Sequence, residues 1–323
     1  MIVMAGNGKV ISFINMKGGV GKTTLTKEIG YHLAMVKNLK VLLIDVDPQI
    51  NLTQSIFRRF GYAPNSKIAQ SMKKADENNN TVDSNKDSVK IAKDISITKA
   101  SIQNIMNGNI SNENPLEDYN KAVVEIPNTN LSIIPGEFGL DFTTRNLNGG
   151  QLENGLFNFI DKNNLKDKFD FILIDCPPTY SSYTVSALKP SDFYVIPVRP
   201  EAYSLLGVSM LEEVVKYIKS ENEIYFRGRD LKNLGIIISG VKNPDRQGIE
   251  NLITDIKSSE ILSKNNINIF DNRFIYNPGL QNDMAYFIDD FQAKKKSKPN
   301  LSDLTEEFLK LINDNESESD KND

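Results

Sequence analysis

Residues 15–24 read Asn15-Met16-Lys17-Gly18-Gly19-Val20-Gly21-Lys22-Thr23-Thr24. Small residues followed by Lys and Thr are the types that bind a phosphate chain. Glycines let backbone N–H groups curl around anionic oxygens, Lys22 can reach the outer phosphates, and the Thr23 hydroxyl can ligate a magnesium ion. The front of the generic template G-x-x-x-x-G-K-[ST] is not met, because only Gly19-Val20 separates Gly18 from Gly21; the misfit is Lys17. Three acids end apolar runs: Asp45 and Asp47 after Val41-Leu42-Leu43-Ile44, and Asp175 after Phe171-Ile172-Leu173-Ile174. Such acids serve either as turn formers or as site groups, and the carboxyl ends of strands are where α/β sheets bind ligands.

The elements around the loop meet its requirement for a strand before and a helix after. Val10-Ile11-Ser12-Phe13-Ile14 is a short β-branched run. Leu25, Ile29, Leu33 and Val36 recur at helical spacing, which predicts a helix from Lys22 to about Val36. Further apolar runs lie at 131–134, 193–196 and 234–239, with a seventh strand expected near Ile267–Phe270. Runs apolar on both faces belong in a parallel sheet covered by helices. The expected fold is therefore α/β, a mostly parallel twisted sheet of about seven strands flanked by helices in three layers. One domain is expected over residues 9–311, with a surface insertion at about 65–96, poorly ordered or weakly helical. Residues 312–323 carry five acids and one Lys and read as a disordered tail.

Composition removes several function classes. The 323-residue chain has net charge −4, so any nucleic-acid site must be a local patch. One cysteine, Cys176, and one histidine, His32, leave no intrachain disulfide, cysteine-held metal cluster or Ser-His-Asp triad. Cys176 reads as packing and His32, on the first helix, as structural. No apolar run is long enough for a transmembrane helix and no secretory signal is evident, so a cytoplasmic protein is expected.

The run Lys17–Thr24 resembles the deviant Walker A box of the MinD/ParA family of P-loop ATPases. Residues 41–49 resemble that family's switch I, residues 171–178 its Walker B strand and switch II, and residues 194–201 the segment after the next strand. The resemblance spans roughly residues 9–60 and 98–290. It implies a three-layer P-loop NTPase binding ATP and Mg²⁺, with Lys17, Gly18, Gly19, Val20, Gly21, Lys22, Thr23 and Thr24 around the nucleotide. In the family, the lysine at the position of Lys17 crosses a dimer to the partner's nucleotide and neutralises developing charge. By the same resemblance Asp47 positions the attacking water, Asp45 and Asp175 join Thr23 in the magnesium shell, and Asn243 contacts adenine. Asn243-Pro244 also reads as a plain turn.

Within the family, one cysteine argues against cluster-holding relatives, the acidic C-terminal residues against a MinD-like membrane helix, and the lack of tyrosines after Tyr286 against tyrosine kinases. ParA-type DNA-partition ATPases remain. That resemblance implies an ATP-bound homodimer, non-specific DNA binding, a ParB-like centromere-binding partner that stimulates slow hydrolysis, and association with the nucleoid. An N-terminal helix-turn-helix domain is not expected. Arg227, Arg229 and Lys232, and Lys294, Lys295, Lys296 and Lys298, read either as phosphate contacts or as ordinary solvated charge. The alternative function is a MinD-like positioning or regulatory ATPase at a membrane or protein partner. A third is a nucleotide-dependent interaction module with little turnover.

Overall fold

Strand β1 (Lys9–Phe13) sits in the middle of an eight-stranded sheet. The computed structural model describes residues 8–79, 92, 94–106, 115–137, 149–201, 204–242, 247–290 and 296–319. The other strands are β2 (Val41–Asp45), β3 (Val124–Glu125), β4 (Leu131–Ile134), β5 (Phe171–Asp175), β6 (Phe193–Val198), β7 (Lys232–Val241) and β8 (Phe274–Ile275). Their order is β8-β7-β6-β1-β5-β2-β4-β3, and every pairing is parallel except β3 against β4.

The helices that matter are α1 (Lys22–Met35), α2 (Asn51–Phe60), α3 (Ser66–Asn79), α4 (Gly149–Lys162), α5 (Ser182–Leu188), α6 (Ser204–Glu221), α7 (Gln247–Lys257) and α8 (Ser297–Ser319). Period-two alternation sends Phe171 and Leu173 to one face of the sheet and Ile172 and Ile174 to the other. The first face packs α1, α2 and α8, and the second packs α4–α7, which makes three layers. Both faces are covered, which is why these strands read as continuous apolar runs.

Three expectations change. The seventh strand expected at 267–270 contributes a single bridge, Ile236 to Ile269, and the edge strand forms later, at β8. Two-residue β3 was too short to register as a run. The residues expected to be a disordered tail continue α8 as far as Ser319. Ile312 is fully buried with Leu301, Leu304 and Phe308 on the same apolar stripe, so packing overrides the acidic composition. In the insertion, Tyr62–Ala63 pairs with Ser96–Ile97 and α3 lies between them; residues 80–91 and 93 are outside the described residues.

Candidate active site

The loop after β1 is held from below. The amide of buried Asn15 donates to the Pro197 carbonyl at 2.8 Å, and its Oδ1 accepts from the Lys17 N–H at 2.9 Å. Helix α6 comes so close that a Cβ on Gly207 would lie 2.8 Å from that same oxygen. Gly19 (φ +70°) and Gly21 (φ +92°) turn the chain through left-handed conformations that favour glycine. Gly21 leads directly into α1 with no side-chain cap, so the first-turn N–H groups face outward. A Cβ on Gly18 or Gly19 would meet nothing within 4 Å, so the rim of the loop is open. Val20 is the buried anchor, and its carbonyl accepts the Ser239 hydroxyl from β7.

Lys22 lies beneath this rim. It is buried, and among the described residues its ammonium donates two long bonds, to the Asn15 carbonyl at 3.3 Å and the Lys17 carbonyl at 3.2 Å. Burial pulls its pKa down against the nearby charges of Asp175, Cys176 and Asp47. A desolvated cation with weak partners is suited to taking an anion.

Asp175, at the end of β5, is fully buried, and neither carboxylate oxygen has a hydrogen bond of full geometry, although the Thr23 hydroxyl lies close enough to lower its pKa. Burial first and the Asp45 charge second hold its carboxyl well above the ordinary range. Orphaned buried oxygens beside a threonine hydroxyl fit a hydrated divalent cation. Among the described residues no three His, Cys, Asp or Glu side chains gather into a cage, so a cation here takes most ligands from elsewhere, as Mg²⁺ does in phosphate sites.

Asp45, expected in the magnesium shell, is engaged within the chain. Its Oδ2 accepts the Thr53 N–H at 2.8 Å and the Thr53 hydroxyl at 2.7 Å, and its Oδ1 accepts the Asp47 N–H at 3.2 Å. The Thr53 oxygen accepts in turn from the Gly136 N–H at 2.8 Å. Asp45 therefore clamps β2 to α2 and to the loop after β4. Burial raises its pKa to about 7. Asp47 projects into the site nearly buried, and its Oδ1 accepts the Gln49 N–H at 2.9 Å. Burial also pushes up the Cys176 thiol beside these acids, and its environment is that of a packed side chain.

Lys17 points to the rim and pairs in its own chain with Glu201, Nζ to Oε2 at 2.7 Å. That pair holds the Glu201 pKa below the usual range. Sequence reasoning did not single out Glu201; the only signal was its place in the segment 194–201. At 38% and 48% exposure the pair contributes no more than about 1 kcal/mol, so it is easily released.

The basic candidates separate. Arg229 is a structural staple. Its guanidinium donates to the carbonyls of Tyr225, Ser191 and Lys189 and lies against Phe157 and Phe226, which leaves it badly placed for DNA phosphate. Lys232 donates to the Asn315 carbonyl at 3.3 Å and Lys298 to the Asp289 carbonyl at 3.1 Å. Arg227 and Lys296 are exposed. Lys232 meets α8 near its C-terminal end, whereas Lys296 directly precedes its first residue, roughly 30 Å away along the helix axis. Lys294, Lys295 and Asn243 lie outside the described residues. His32 is structural in setting: it is buried and shares a 2.8 Å hydrogen bond with Asp289.

A family model described as an AAA domain matches residues 8–227. The sporulation initiation inhibitor protein Soj of Bacillus subtilis is 28% identical over 251 residues, covering 77% of this chain and 79% of that protein. The virulence plasmid ParA family protein pGP5-D of Chlamydia psittaci is 28% identical over 258 residues, 79% of each. A plasmid partition protein of Borrelia burgdorferi, solved bound to AMPPNP, shares the fold with a TM-score of 0.60 at 20% identity, covering 94% of this chain and 99% of that one. With the loop, the buried lysine and the strand-end carboxylates in place, the chain belongs to the ParA/MinD family of P-loop ATPases.

Proposed function

We propose that this protein is a partition ATPase of the ParA type, which binds Mg²⁺-ATP, closes into a homodimer around two nucleotides, binds DNA without sequence preference and releases it on hydrolysis. The observation that carries the nucleotide half is the open loop rim over buried, under-bonded Lys22, next to an Asp175 carboxylate with no complete hydrogen bond. The AMPPNP in the Borrelia structure supports the same half, and the partition half rests on the relatives' names.

In this reading the loop N–H groups and Lys22 bind the outer phosphates, and Thr23 with Asp175 holds Mg²⁺, which would neutralise phosphate charge. Asp47 orients the attacking water. Lys17 leaves Glu201 and crosses to the second copy's nucleotide, and a weak exposed pair makes that exchange cheap. Thr24 and Asn243 complete the nucleotide contacts. DNA phosphates meet the basic run Lys294–Lys296, and a ParB-like partner accelerates turnover. The setting is cytoplasmic and nucleoid-associated. A MinD-like membrane role is less favoured, because the apolar side of α8 is buried against the sheet and none of the described helices is long and apolar enough to cross a membrane.

Phosphate release and DNA retention, each with and without ATP over a salt series, test the proposal. ATP-dependent DNA retention that weakens steeply with salt is expected. Retention independent of ATP, or liposome binding in its place, would overturn the partition reading.

A further inference from the structure

One polar group near the loop has no part in the scheme above. The half-buried Arg199 follows the last residue of β6, and its Nε–H is sequestered from solvent with no hydrogen-bond partner. The other half-buried arginines among the described residues, Arg58, Arg59, Arg229 and Arg273, all donate to a carbonyl or carboxylate. Arg199 donates none of the side-chain hydrogen bonds found among the described residues, and its charge helps Lys17 to lower the Glu201 pKa. Leaving a buried donor unmet is costly, so a group that stays in this state at the mouth of a site is one that a ligand completes.

Its position says which part of a ligand. The side chain lies flat on the end of β7: a Cβ built on Gly240 would be 3.1 Å from Nε and 3.7 Å from Cδ and Cγ. Gly240 takes a left-handed φ of +67° and directly follows Ser239, whose hydroxyl bonds the Val20 carbonyl of the phosphate loop. Arg199 thus rests on the residue next to a hydroxyl that touches the loop. In the sheet order, β5 and β2, which carry Asp175 and lead to Asp47, lie on one side of β1, and β6 and β7 lie on the other. Asp175 and Thr23 would hold the magnesium ion that neutralises the outer phosphates, which would put that end of the nucleotide toward β5. The inner phosphate, ribose and base must then extend toward β6 and β7.

We propose that Arg199 binds the nucleoside half of the nucleotide, its guanidinium donating to acceptors there while its stem rests on Gly240. This rests on the assignment of the loop as a nucleotide site. The planar fork suits such a task, since it offers several fixed donors and an apolar face.

Titration calorimetry with ADP and with ATPγS, both with Mg²⁺, tests it in Arg199→Met, which keeps the stem and removes every donor. The dissociation constants for both nucleotides should rise by the same factor, about tenfold or more, the loss expected for a hydrogen bond from a charged donor. The melting temperature without nucleotide should be no lower than that of the wild type, since the variant loses an unmet buried donor. Arg199→Lys should stay weak, because an ammonium has no donor at the Nε position. Unchanged affinity in Arg199→Met would overturn the proposal. So would a loss confined to ATPγS, which would put Arg199 at the outer phosphate, or full affinity in Arg199→Lys. If the wild type itself bound neither nucleotide, the function proposed for the loop would fail and this inference with it. Wild-type binding with an unaffected variant sinks the Arg199 role alone.

Discussion

Replacing Asp175 with Asn should stabilise the nucleotide-free protein while destroying its use of Mg²⁺-ATP. Asp175 is fully buried, lacks a complete hydrogen bond and faces the Asp45 and Asp47 charges. Lys22 and the Thr23 hydroxyl favour its ionised form, but burial and the two acids outweigh them, since the net direction of its pKa is strongly upward. The folded state therefore prefers this side chain neutral. Between the unfolded value and the raised folded value, folding takes up a proton, so stability is greatest at low pH and falls as pH rises through that window. Each such proton is worth up to about 1.4 kcal/mol per pH unit. Asp45, raised to about 7, adds to the slope in the same direction between about pH 4 and pH 7. An Asn amide keeps some desolvation cost of its own, so the expected net gain at pH 8 is about 1–2 kcal/mol, or about 1.5–3 °C in melting temperature for a domain of this size. At pH 5, where less of that stability has been lost, the gain should be smaller. Thermal melts of wild type and Asp175→Asn without nucleotide at both pH values read this directly, with Mg²⁺-ATP titrations alongside. A variant that melts lower at pH 8, or a gain equal at both pH values, would refute the electrostatic account of the site.

Asp47→Ala should keep ATP binding and lose turnover by about a hundredfold or more, as removal of a group that orients a nucleophile does; phosphate release against binding titrations checks it. Lys17→Ala should abolish the ATP-dependent increase in mass seen by light scattering, whereas Glu201→Gln, which frees the lysine, should preserve it. Arg229→Ala should lower stability by about 2–4 kcal/mol by unpairing three carbonyls, yet leave DNA retention unchanged well below the melting temperature. Phe308→Ala should cost about 3–5 kcal/mol in chemical denaturation, because Phe308 is fully buried in α8 and packs against Phe13 and Phe171.

Much of the site is local and was legible. The loop conformation is written in contiguous residues, since only glycine tolerates the turns at Gly19 and Gly21 and the flanking strand and helix announce themselves by periodicity. The central strands were legible for the same reason. Residues 267–270 misled because an apolar run says nothing about whether a neighbouring strand offers a free edge over its length. The acidic end of α8 misled because its charge was weighed without the buried stripe Leu301, Leu304, Phe308 and Ile312 just before it, from which the helix continues.

The residue sequence by itself determined the phosphate loop, the strand-end acids and the parallel sheet, because each depends on backbone preference or apolar spacing within a few residues. Tertiary structure decided which of those groups remain available. Asp45 is occupied by Thr53, Lys17 is met by Glu201 from 184 positions away, and Arg229 is committed to carbonyls that sequence could not place beside it. A charged residue's type says only that it needs a partner. Which partner it finds, or whether it is left waiting for a ligand as Asp175 and Arg199 are, depends on where distant segments cross.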